Sequence, residues 1–128
     1  TAEELHLDPA LTYRLLRGDM FQAISAADAY LLKNILHDWS DAECVQILTN
    51  MFQAAPTGAR AFVVESVVPG PATPHFAKLF DIHMMCALTA QERMEEGYAA
   101  LLHTAEWRFI RTWYPASRLL GVVEAVKA

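Results

Sequence analysis

Two apolar runs with a capped helix between them constrain this chain most. Residues 28–36 carry Tyr30, Leu31, Leu32, Ile35 and Leu36, and residues 61–68 read Ala-Phe-Val-Val-Glu-Ser-Val-Val. Such runs fit strands buried on both faces, as in a parallel sheet. Between them, Ser40-Asp41-Ala42-Glu43 has the form of a capping box: the serine hydroxyl takes the N3 amide and the glutamate reaches back. Cys44, Val45, Ile47, Leu48, Met51 and Phe52 then recur at helical spacing as one apolar stripe. Pro56-Thr57-Gly58 closes the unit.

Around this unit the pattern predicts a short strand over 13–17, halted by Gly18-Asp19, and helices over 76–87 and 95–104. Two tail strands are expected over 107–114 and 119–126, joined antiparallel through Pro115-Ala116-Ser117-Arg118. Strand, helix, strand, helix and a closing hairpin indicate an α/β layered domain. At 128 residues we read 1–128 as a single domain. With 54% hydrophobic and 20% charged residues, disorder is excluded. A net charge of −5 argues against nucleic acid or an anionic membrane as partner. No apolar run approaches a membrane span and no signal segment stands at the start, so a cytoplasmic chain is expected. Cys44 and Cys86 sit in apolar helical patterns without metal spacing and are expected as buried free thiols.

Ligands of open α/β sheets bind outside the carboxyl ends of the strands, so the polar residues there are the candidates. Glu65 is the sharpest anomaly, because a carboxylate within a valine run costs several kcal/mol unless it is paired or hydrogen-bonded. It either ends the strand in water or orients a neighbouring base or cation. His37, entering a helix cap, is either structural or one half of an oriented general base with Glu65. Lys33 could serve a ligand carboxylate or snorkel from the sheet edge. Glu92-Arg93, taken alone, reads as a solvated turn, and Met84 and Met85 as core. His6, His75 and His103 read as surface residues, and no metal is expected.

The run Lys33-Asn34-Ile35-Leu36-His37-Asp38-Trp39-Ser40-Asp41-Ala42-Glu43-Cys44 resembles the signature of class I SAM-dependent O-methyltransferases of the plant phenolic, hydroxyindole and bacterial polyketide type. Gly18-Asp19-Met20-Phe21, Ala27-Asp28-Ala29, Val63-Val64-Glu65, Asp81-Ile82-His83-Met84-Met85, Gln91-Glu92-Arg93 and Val122-Val123-Glu124-Ala125 agree in order and spacing. The resemblance implies the C-terminal part of a Rossmann-like sheet, with helices on its faces and a closing antiparallel hairpin. It implies that His37 removes the proton of an acceptor hydroxyl and that Glu65 and Glu92 flank and orient it. It assigns Asp19, Met20, Lys33 and Trp39 to S-adenosyl-L-methionine, and His83, Met84 and Met85 to the pocket of a small aromatic or polyketide-like acceptor. The alternatives are a non-catalytic binding or dimerisation module and a non-methylating relative.

Family members are usually more than twice this length, and the chain corresponds to the C-terminal half of their catalytic domain. The five glycines, at 18, 58, 70, 97 and 121, are isolated, so the family's glycine-rich cofactor turn has no counterpart here. The family's Ala-Gly-Phe before the sixth strand is Ala105-Glu106-Trp107. With the preceding strands absent, the 28–36 strand is expected to expose an edge that a second copy or a chain supplying the N-terminal half would cover.

Overall fold

The computed structural model describes residues 16–68, 93–116 and 120–128. Strand β1 is Ala29–Lys33; a 3-10 turn, Leu36–Asp38, precedes helix α1, Asp41–Ala54. Strand β2 is Arg60–Glu65, helix α2 is Glu95–Thr104, and strands β3, Arg108–Trp113, and β4, Gly121–Val126, close the order. The sheet runs β1-β2-β4-β3, with β1 parallel to β2 and β4 antiparallel to both β2 and β3. The β-α-β unit and the closing hairpin are therefore as the sequence predicts.

The capping box forms as written. Glu43 N donates to Ser40 Oγ at 3.4 Å, and Ser40 N donates back to Glu43 Oε2 at 3.0 Å. The Ser40 hydroxyl and amide hold the Glu43 carboxyl below the usual range. At its far end α1 is closed by Lys127, whose Nζ donates to Phe52 O and Ala55 O at 2.7 and 2.8 Å. These are carbonyls that a helix leaves unpaired in its last turn.

Alternation along the strands places one sheet face against the helices. Tyr30, Ala61, Val63, Val123 and Ala125 lie there with Ile47, Leu48 and Met51 of α1 and Leu102 of α2. Trp107 sits wholly buried in this core, its Nε1–H on Leu48 O at 2.9 Å and its ring edge-on to Phe52 and Tyr30. Cys44 is a buried free thiol, as expected, while Cys86 lies outside the described residues.

Three expectations are corrected. The first strand ends at Lys33, because Asn34 leaves the extended region, so Leu36 belongs to the 3-10 turn. The 61–68 run pairs only to Glu65. Burial on both faces does not hold for β1 among the described residues: Leu31 is 68% exposed, because only one face of the sheet meets α1 and α2. Of the 13–17 strand, 13–15 lie outside the described residues and Leu16 and Arg17 belong to no element; the 76–87 helix lies wholly outside them. Among the described residues no helix is long and apolar enough to cross a membrane.

The sheet face opposite α1 carries an ionic knot. Glu124, buried on β4, accepts from Trp113 Nε1 at 2.8 Å and Arg111 Nε at 3.2 Å, and Arg60 Nη1 lies 3.0 Å from its Oε1. The Trp113 indole, then Arg111 and Arg60, hold its carboxyl below the usual range. A depressed carboxylate stabilises the fold above the ordinary carboxylate pKa, and that contribution is lost as pH falls.

Helix α2 ends in a Schellman motif: Glu106 N donates to His103 O at 3.0 Å and Trp107 N to Leu102 O at 2.9 Å. The motif needs a left-handed residue at Glu106, which has φ 67°. A side chain in that region costs about 1 kcal/mol that glycine does not. Glu106→Gly is therefore expected to stabilise the chain by about 1 kcal/mol, a rise in Tm of about 3–5 °C by thermal unfolding. An unchanged or lowered Tm would show that the Glu106 side chain compensates for its own backbone.

Candidate active site

The site begins where β1 leaves the sheet. Asn34 adopts φ 52°, a conformation that asparagine tolerates better than most residues, while its amide still donates to Val64 O at 3.0 Å. The chain then turns across the end of β2. The amides of Ile35 and Leu36 donate to Glu65 Oε1 at 3.0 and 2.8 Å, and His37 Nδ1 lies 2.8 Å from Glu65 Oε2. Glu65 is fully buried and His37 nearly so, with 14% of its side chain exposed.

This resolves the anomaly of a carboxylate in a valine run. Glu65 reaches no water; it is met by two backbone amides and an imidazole, which offset its desolvation. An ionised carboxylate only accepts, so Nδ1 carries its hydrogen toward Glu65, and in the neutral ring the lone pair falls on Nε2. A histidine held this way can take a proton at Nε2 and have the resulting cation stabilised by the carboxylate behind it. In this structure Asp38 Oδ1 stands 3.2 Å from Nε2.

A second group of predicted residues gathers beside α1. Asp19 Oδ1 accepts from Phe21 N at 2.9 Å, and Asp19 O accepts from Gln22 N and Ala23 N at 3.0 Å, which makes a tight turn. Two α1 side chains hold that turn: Gln46 Nε2 donates to Phe21 O at 2.8 Å, and Asn50 Nδ2 to Met20 O at 2.9 Å. Trp39 meets the same turn, its ring 4.8 Å from that of Phe21, edge to face. Asp19, Met20 and Trp39 are thus brought together, with the Asp19 side exposed. Lys33 ends β1, exposed, opposite Val64 in the register. Glu92, His83, Met84 and Met85 lie outside the described residues.

Two residues escaped the reading by sequence. Asp38 was legible only as the neighbour of His37. Arg93, expected in a solvated turn, is buried. Its Nη1 and Nη2 donate to Leu36 O and Trp39 O at 3.0 and 2.9 Å, and its Nε and Nη2 to Asp41 Oδ1 at 3.0 and 2.7 Å. The physical reason is that the tightly turned 36–39 segment presents inward carbonyls that need donors. Cys44 helps: its Sγ–H donates to Leu36 O at 3.2 Å, and burial pushes the thiol up to about 11, so it keeps that hydrogen at ordinary pH.

Comparison with known proteins places the geometry. The family model for the O-methyltransferase domain matches residues 2–108. A phenazine O-methyltransferase of Lysobacter antibioticus is 36% identical over 109 residues, 84% of this chain and 32% of that protein. A flavone O-methyltransferase of Triticum aestivum is 36% identical over 111 residues, 83% of this chain and 30% of that protein. Among solved structures, a methyltransferase of calicheamicin biosynthesis in its SAH-bound form superposes with a TM-score of 0.84 at 33% identity, covering 90% of this chain and 34% of that one. Human N-acetylserotonin methyltransferase in complex with SAM gives 0.81 at 28%, covering 88% and 33%. The chain spans about a third of the length of the relatives it matches. A match of this extent, on a sheet that carries the expected histidine and carboxylate at the ends of its parallel strands, makes the chain a member of the O-methyltransferase family.

Proposed function

We propose that this chain is the C-terminal half of an O-methyltransferase catalytic domain, and that His37 is its general base toward a hydroxyl of a small aromatic or polyketide-like acceptor. The observation that carries the reading is the 2.8 Å contact of His37 Nδ1 with a buried Glu65 whose other oxygen is anchored by two amides. Glu65 selects the tautomer with its lone pair on Nε2 and stabilises the imidazolium formed when that nitrogen takes the hydroxyl proton. The acceptor must first displace Asp38 from Nε2, and Asp38, with 43% of its side chain exposed, has solvent to turn into. Glu92 is proposed as the second carboxylate beside His37, and His83, Met84 and Met85 as the acceptor pocket.

The residues present fit part of S-adenosyl-L-methionine. An exposed carboxylate, a thioether and an indole, on a turn fastened to α1, suit the nucleoside end, and the Lys33 ammonium suits the carboxylate of the methionine end. When bound, the cofactor supplies a methyl group already activated on a sulfonium sulfur. Proton removal and alignment are then what the chain's own residues contribute. A glycine-rich phosphate-type turn and a ribose carboxylate, which hold most such nucleosides, have no counterpart in the sequence.

Two outcomes test this reading. By calorimetry, the 128-residue chain alone is expected to bind SAM with a Kd of about 100 µM or weaker, and the chain completed by an N-terminal part is expected to transfer labelled methyl from SAM to phenolic acceptors. Completed protein that binds SAM without transferring methyl to any hydroxyl would favour the non-catalytic module instead. Leu31, exposed on β1 at the edge of the described sheet, supports association with a second copy or with the completing segment. Light scattering of the chain at micromolar concentration is expected to show particles above its 14.3 kDa, and a clean monomer would remove this part of the proposal.

A further inference from the structure

We infer that Arg93 is a positioning residue for His37: its guanidinium holds the backbone of the 36–39 turn so that the imidazole stays on Glu65. The turn and the residue before it are gripped at four backbone groups, two amides and two carbonyls. The amides of Ile35 and Leu36 are held by the Glu65 carboxylate; the carbonyls of Leu36 and Trp39 are held by Arg93. The same carboxylate that takes the two amides takes the ring nitrogen, so a shift of the turn moves His37 off Glu65 directly.

The burial of this cation argues for a specific task. The Arg93 side chain is 5% exposed, while its ionic partner Asp41 is 65% exposed at the first turn of α1. One exposed carboxylate only partly offsets the desolvation of a buried guanidinium, which depends on it, and an apolar side chain would fill the space at lower cost. What an apolar residue lacks is the planar fork, which here reaches two carbonyls flanking the turn and one carboxylate oxygen at once. The main chain of Arg93 is fixed as well, its carbonyl accepting from Val68 N at 2.9 Å beyond the end of β2. Arg93 therefore ties the turn bearing His37 to α1 and to the strand bearing Glu65, and it directly follows Glu92 in the chain.

The significance of this role for methyl transfer rests on His37 as the base, but its test does not. The probe is solvent exchange of the His37 Nδ1–H, followed by nitrogen-15 NMR on the 128-residue chain and assigned by its loss in His37→Gln. The Trp107 Nε1–H, buried on Leu48 O, reports the core. In Arg93→Lys and in Asp41→Asn, the His37 proton is expected to exchange about tenfold faster or more while the Trp107 proton is unchanged. Exchange at His37 within about twofold of the unaltered chain in both variants would overturn the inference, as would the absence of a protected Nδ1–H in the unaltered chain. If Arg93→Lys loses protection at Trp107 too, Asp41→Asn decides by the same two signals. Loss of both signals there would make the role merely structural and overturn the inference. A completed protein that transfers no methyl group yet shows this exchange pattern would sink the proposed function and leave Arg93 in its role.

Discussion

His37→Ala in the completed protein is expected to lower kcat for methyl transfer by about a hundredfold or more, the usual scale for removing a general base. SAM affinity is expected to stay within about twofold, because in the proposed role His37 acts in the transition state rather than in binding. The residual rate would come from alignment alone, which the variant keeps. Initial rates with labelled SAM, alongside calorimetric binding, check both halves. A turnover near that of the unaltered protein would return His37 to a structural place between β1 and α1.

Replacing Glu65 should have the largest effect on stability. Glu65→Ala leaves two amides and an imidazole without their carboxylate, and removing one partner of a buried charged network costs about 3–5 kcal/mol. Urea unfolding reads that loss as a lowered midpoint. Glu65→Gln separates the two tasks of the residue. The amide oxygen can still accept from Ile35 and Leu36, so the fold is expected to survive. Its NH2 would then donate to Nδ1 and push the ring hydrogen onto Nε2, where a base needs its lone pair. A stable Glu65→Gln protein with kcat down by about a hundredfold is the expected result. Full activity in that variant would mean that the carboxylate serves the backbone amides alone.

These two residues also show how far the sequence reaches. His37 and Glu65 were legible because each breaks a local pattern: a histidine where a helix is about to start and a carboxylate among valines. Ser40 and Glu43 were legible because a capping box is complete within four residues, and α2 because its spacing needs no distant partner. Local geometry decides such features, so local sequence records them. The apolar run through Leu36 overstated β1, because hydrophobicity marks burial, and both a strand and the turn that follows it can be buried.

The rest was decided by contacts that no local pattern encodes. Arg93 reaches Leu36 across 57 positions and Asp41 across 52, and its neighbours in the chain look like any exposed turn. Gln46 and Asn50 occupy polar positions on α1 and become the clasp of the Asp19 turn only when the chain folds back over that helix. Glu124 appears in sequence as one more residue of a last strand, yet three side chains from β2 and β3 converge on it. Composition and period determined the layers, the parallel pair and the hairpin, and they marked His37 and Glu65 as candidates at the strand ends. Which carbonyls face inward and which cation meets them follows from the register of packed elements. That register is a property of the whole chain, because a buried polar group is satisfied by whatever the fold brings within 3 Å, however far away in sequence.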